Sequence, residues 1–162
     1  AGIVLAALLF MRRMADDFRV GCVTPMLEED EEAVGAGETA KRRAVPKGVE
    51  VFEVNGPFFF GAADKFKYTL SLIQKKPKVL ILRLDSVNSL DATGLRALED
   101  VFGQTSREGT TLILSGVREQ PERVMARSGF LDRVGIENTA DHIDEALQLA
   151  KLAMDRKAGG RA

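Results

Sequence analysis

The residues able to do chemistry fall mostly in one stretch, Leu84-Asp85-Ser86-Val87-Asn88-Ser89-Leu90-Asp91-Ala92-Thr93-Gly94-Leu95. An apolar strand ends at Asp85, a polar loop follows, and a helix opens around Asp91 to Gly94. In an open α/β sheet, ligands gather outside the carboxyl ends of the strands. Free N–H groups and the positive end of a helix dipole converge at such a helix start. A hydroxyl at Thr93 therefore sits where a phosphate ester is favoured, which makes Thr93 a candidate phosphoacceptor. Asp85, Asp91, Ala92, Thr93 and Gly94 form the candidate contact pocket for a partner or an anion. The same residues also suit a plain helix N-cap, a role that Asp and Thr often fill.

Other reactive side chains are poorly placed for catalysis. Glu99 and Asp100 are adjacent carboxylates, but neighbours on a helix point about 100° apart and cannot flank one bond. Asp141 and His142 read as a helix start, with no Ser or Cys nucleophile patterned beside them. A single His142 cannot build a His-rich metal site, and a single Cys22 cannot close an internal disulfide. Gly35 with Gly37 and Gly159 with Gly160 follow no phosphate-loop spacing. The expectation is a protein that is not an enzyme and carries no cofactor or metal. With 23 basic against 24 acidic side chains there is no net field to hold a nucleic acid, so nucleic acid is not an expected partner.

The elements that must position this stretch can be read from hydropathy. Val49 to Val54 is β-branched and aromatic, and Asn55-Gly56 favours a tight hairpin turn with Phe58 to Phe60 as the returning strand. Ala63, Phe66, Leu70 and Ile73 recur at helical spacing, and Pro77 closes that segment. Val79 to Leu84 is a nearly unbroken apolar run, the pattern of a strand covered on both faces. A helix follows from about Thr93 to Arg107 with Leu95, Leu98, Val101 and Phe102 inward. Then come a strand at Thr111 to Ser115, a short helix at Pro121 to Arg127, a short strand at Val134 to Ile136, and a last helix from near Asp141 through Met154. Strand and helix alternating after an opening hairpin predict an α/β fold: a mixed, largely parallel sheet with about four helices packed on it.

The chain of 162 residues holds more than this domain needs. Residues 1–11 (AGIVLAALLFM) carry no charge and are followed by Arg12 and Arg13. Eleven apolar residues are too few to cross a bilayer, which takes about 20. They suit the end of a last transmembrane helix with its arginines at a cytoplasmic exit. A secretory signal would place its positive charge ahead of the apolar run. Residues 12–48 lose periodicity and carry charge blocks, Glu28 to Glu32 and Lys41 to Arg43, so they read as a charged linker. Residues 49–156 are the ordered domain and 157–162 a flexible tail.

The sequence resembles the STAS domain, shared by sulfate transporters of the SulP family and bacterial anti-sigma factor antagonists. The residues that carry the resemblance are VFEVNGPFFFGAADKF, VLILRLDSV, SLDATGLRAL, TLILSGV and DHIDEALQLA, which together span the ordered domain. In the antagonists the resemblance implies phosphorylation of the serine or threonine at the position of Thr93, preceded here by Asp91. In the transporters it implies a cytoplasmic regulatory module on the inner (plasma) membrane, beneath the protein's own transmembrane domain, within a dimer. A cytosolic regulatory or carrier protein is then a further partner. Transport of sulfate, bicarbonate or a related small anion would be the work of the membrane domain. The apolar run, the long linker and the phenylalanine-rich NGPFFFGAADKF segment favour the transporter form. The alternative is a free-standing antagonist switched at Thr93.

Overall fold

The computed structural model describes residues 5, 6, 9, 19–22, 45–59, 62–73 and 75–160. In chain order they form β1 (Arg19–Cys22), β2 (Val49–Asn55), α1 (Ala62–Ser71), β3 (Val79–Ser86), α2 (Ala92–Arg107) and β4 (Thr111–Ser115). These are followed by α3 (Glu119–Arg127), α4 (Phe130–Val134), a 3-10 turn (Ile136–Asn138), β5 (Thr139–Ala140) and α5 (Ile143–Gly159). The strands make one sheet in the order β1-β2-β3-β4-β5, with β1 antiparallel to β2 and every other pair parallel.

The apolar run of β3 explains the layering. Leu80, Leu82 and Leu84 point to one face, where Phe66 of α1, Leu98 and Val101 of α2, Met125 of α3 and Phe130 of α4 cover them. Val79 and Ile81 point to the other face, against Ala146, Leu147, Ala150 and Ala153 of α5. A side-chain period of two forces this division. A sheet extended in one direction by crossovers of one hand places its connecting helices on the same side. The terminal helix α5 is not a crossover and is free to close the opposite face, where its alanines allow close approach to the sheet.

The mixed, largely parallel sheet is as expected, but its opening antiparallel pair is built differently. Val49 to Val54 does not fold back on Phe58 and Phe59, Phe60 lying outside the described residues: both edges of β2 are taken, one by Arg19–Cys22 and the other by β3. Gly56 makes the expected turn at φ +92. The chain then leaves the ladder, and Phe58 forms a parallel bridge with Leu90. The segment read as a linker thus contributes a strand. At the far end, Gly135 at φ +88 breaks the expected Val134 to Ile136 strand, and the pairing with β4 passes to Thr139–Ala140. Among the described residues five α-helices pack on the sheet where about four were expected, because Gly129 at φ +71 separates α3 from α4.

At its end, α5 runs through Gly159, and Lys157, expected in a flexible tail, donates from Nζ to the carbonyls of Lys78 (2.9 Å) and Gly109. Of the opening apolar segment, Leu5, Ala6 and Leu9 are described; they are helical and exposed. The rest of that segment, the acidic run and the basic trio lie outside the described residues. No helix among the described residues is long and apolar enough to cross a membrane.

Candidate functional site

The start of α2 is a capped helix. Asp91 holds an extended backbone (φ −98, ψ 179), and its Oδ1 accepts the N–H of Gly94 at 2.8 Å. Its carbonyl accepts the N–H of Leu95 at 2.9 Å. Asp91 therefore satisfies donors that a helix start leaves open. Gly94 is buried against a neighbouring segment: a Cβ there would overlap the Phe58 carbonyl oxygen and lie 2.8 Å from Leu90 Cδ1. That close approach lets Phe58 N–H donate to Ser89 O at 2.9 Å, and Asp91 N–H to Phe58 O at 3.3 Å. Ala92 is exposed and Thr93 half-buried on the same turn.

Asp85 occupies the end of β3 in a different setting. Its Oδ2 accepts from Arg83 Nε at 2.9 Å, and its carbonyl accepts from Arg118 Nε at 2.7 Å. The carboxylate lies against Gly116, which has φ +69 and where a Cβ would overlap it. The structure thus brings Asp91, Ala92, Thr93 and Gly94 together on one helical turn. It sets Asp85 on the adjoining strand end, turned toward β4.

Residues at the start of α3, absent from the sequence-based set, brace both parts. Arg118 holds Asp85, and Gln120 clamps the loop by accepting from Leu90 N (2.9 Å) and donating to Leu90 O (3.2 Å). Nothing in the spacing announces Gln120, since its partner is thirty positions away. Gly94 belongs to the sequence-based set, and packing against Phe58 and Leu90 explains a glycine in the first turn of a helix. The larger clefts described lie elsewhere. One of about 330 Å³ sits between α1 and α2 over Leu70, Ile73, Leu80 and Val101. One of about 750 Å³ lies beside α4 and the start of α5, with Glu122, Asp132, Glu137, Asp141 and Glu145 on its rim. Among the described residues no group of three or more His, Cys, Asp or Glu is arranged to hold a metal ion.

The STAS domain family model matches residues 41–146. The chain belongs to the STAS domain family. Over 147 residues, 89% of its length, this STAS chain is 28% identical to YvdB of Bacillus subtilis (strain 168), a protein named as a sulfate transporter. The chain spans about a quarter, 25%, of the length of that curated relative. Among solved structures it is similar to a sulfate transporter family protein from Wolinella succinogenes. That match has 47% identity and a TM-score of 0.64, covering 68% of this chain and 91% of that one. It is also similar to the STAS domain of a SulP transporter from Vibrio cholerae. There the identity is 26% and the TM-score 0.61, covering 83% of this chain and 98% of that one. In this STAS domain the DATGL segment has two residues with visible jobs, Asp91 as cap and Gly94 as contact, and two between them with neither, the exposed Ala92 and the half-buried Thr93.

Proposed function

We propose that this STAS domain is the non-enzymatic regulatory and interaction module on the cytoplasmic side of a SulP-type secondary anion transporter in the plasma membrane. In this reading a separate membrane domain of the same polypeptide moves sulfate, bicarbonate or a related small anion, and the transporter is a dimer. The observation that carries the reading is the likeness over nearly the whole chain to one quarter of a protein named as a sulfate transporter. Residues 1–11 then form the end of the last membrane helix, and 12–48, apart from the strand Arg19–Cys22, form the link.

The regulatory surface is the first turn of α2. Asp91 and Gly94 hold the turn, while Thr93 is free of a structural duty and stands where the helix dipole favours added negative charge. Asp85 and Ala92 flank it. A cytosolic regulatory or carrier protein, or an anion, is the partner of this surface.

The experiment is anion uptake by the parent polypeptide in proteoliposomes, compared with Thr93→Glu and with a form lacking residues 45–160. Uptake by the parent that changes with Thr93→Glu at equal protein level supports the reading. A parent polypeptide without uptake of any small anion refutes it. A chain that captures a serine kinase or a sigma-factor regulator, and loses it in Thr93→Glu, transfers the assignment to a free-standing antagonist.

A further inference from the structure

Residues 45–160 carry equal numbers of basic and acidic side chains, yet the fold separates them. At the end where the parallel strands begin lie Lys47, Lys75, Lys78, Arg107, Arg156 and Lys157. Backbone and side-chain bonds tie this end together. The carbonyl of Gly48 accepts from the N–H of Lys78 at 2.8 Å and of Val79 at 3.3 Å, and the carbonyl of Lys78 accepts from Thr111 N–H at 3.0 Å and from Lys157 Nζ at 2.9 Å. Lys76 is paired with Glu108 at 3.3 Å; among the described residues the other carboxylates at this end are Asp155 and Glu50. The opposite end, where the strands finish, gathers Asp85, Asp91, Glu119, Asp141, Asp144 and Glu145, and the cations there are engaged: Arg83 with the Asp85 carboxylate, Arg118 with the Asp85 carbonyl and Arg123 with Glu119.

Two exposed apolar side chains accompany the cations. Tyr68 is 66% and Leu72 59% exposed, one helical turn apart at the close of α1 and just ahead of Lys75. Uncovered Tyr and Leu beside lysines are the combination that seats a protein at a lipid headgroup layer. A soluble polyanion would be held by the cations alone.

We propose that the strand-start end of the domain docks on an anionic membrane surface, with Lys47, Lys75 and Lys78 facing the headgroups and Leu72 and Tyr68 entering their layer. Each cation removed near such a surface weakens attachment about five-fold, so three removed together weaken it about a hundred-fold.

The test is vesicle co-sedimentation of the full 162-residue chain. Phosphatidylcholine vesicles are compared with vesicles in which part of the lipid is phosphatidylglycerol, at low and raised salt. The variants are Lys47→Gln/Lys75→Gln/Lys78→Gln, the charge-matched control Lys65→Gln/Arg96→Gln/Arg123→Gln toward the helix starts, and Tyr68→Ser/Leu72→Ser, each checked for unchanged circular dichroism and melting. The proposal predicts preference for anionic vesicles, a loss of about a hundred-fold in the lysine variant against little in the control, and a further loss in Tyr68→Ser/Leu72→Ser. Equal binding to both vesicle types, or equal loss in the lysine variant and its control, overturns it. So does binding to a short RNA duplex as tight as to the vesicles and untouched by Tyr68→Ser/Leu72→Ser.

Discussion

Two glycines on α2 predict opposite responses to the same substitution. At Gly94 an added Cβ would overlap the carbonyl oxygen of Phe58 and stand 3.1 Å from its carbonyl carbon. Backbone cannot swing aside as a flexible side chain can, and Phe58 is anchored: it is fully buried, with its ring 5.1 Å edge-on from that of Phe66. Overpacking of this kind costs about 1–3 kcal/mol. Pushing Phe58 away also weakens the bonds Phe58 N to Ser89 O and Asp91 N to Phe58 O, each worth about 1 kcal/mol. The helix gains at most about 1 kcal/mol from alanine over glycine. Gly94→Ala is therefore expected to lose about 2 kcal/mol. Gly103 lies on the same helix without a positive φ, and its added Cβ would meet nothing nearer than Arg107 Nη1 at 3.7 Å. Gly103→Ala should gain about 0.5–1 kcal/mol. Urea titration followed by far-UV circular dichroism reads both as midpoint shifts at constant slope. A Gly94→Ala protein as stable as the wild type would refute the argument that this glycine exists for contact with Phe58.

Other expectations follow from single interactions. Asp91→Ala should cost about 1 kcal/mol and Asp91→Asn much less, measured by the same titration, because asparagine still accepts the Gly94 N–H. Gln120→Leu removes both bonds to Leu90 and should cost about 1–3 kcal/mol, with faster hydrogen exchange at the Leu90 amide. The Ser115 hydroxyl is fully buried without a hydrogen-bond partner among the described residues, so Ser115→Ala should leave stability unchanged or raise it by about 1 kcal/mol. Burial, and then the charge of Lys78, hold the Lys157 ammonium below its usual value of 10.5. The unfolded chain thus keeps that proton to higher pH than the folded one. The Lys157 contribution should therefore rise with pH up to about 10.5, a slope that Lys157→Gln flattens in melting curves.

Much of the architecture was legible because the apolar pattern is strong where burial is complete. Val79 to Leu84 could only be a strand covered on both faces, and Thr111 to Ser115 matched the observed β4 residue for residue. The opening hairpin was misread for a physical reason. Asn-Gly reports the conformation of a turn, and the turn is there at Gly56, but which strand lies beside β2 is decided by competition for its two edges. Arg19–Cys22 won one of them with four residues set among charge blocks, too short to show a period. The last strand failed similarly: two residues, Thr139–Ala140, offer no pattern, while Val134 and Ile136 looked apolar enough until Gly135 separated them. At the site, Asp91 and Gly94 could be singled out from their place at a helix start. Arg118 and Gln120 could not, because their partners are thirty-odd positions away and are backbone atoms.

The separation of charge between the two ends has a partial origin in topology. Every long helix runs opposite to the parallel strands, so the helix starts gather at one end and the helix finishes at the other. Carboxylates are favoured at helix starts and cations at helix finishes, and Asp144 and Glu145 on α5, Glu119 and Glu122 on α3, and Arg107, Arg156 and Lys157 at the finishes of α2 and α5 obey that preference. Dipole pairing does not account for Lys47, Lys75 and Lys78, which stand on connecting segments, nor for an uncovered Leu72 beside them. Those are the residues whose removal separates a docking surface from a by-product of helix alignment. If the cationic end owed its charge to helix stabilisation alone, replacing the three connecting lysines would change neither stability nor vesicle attachment. If it faces lipid, attachment falls while stability holds, and the Thr93 turn, at the other end of the strands, is left pointing toward soluble partners.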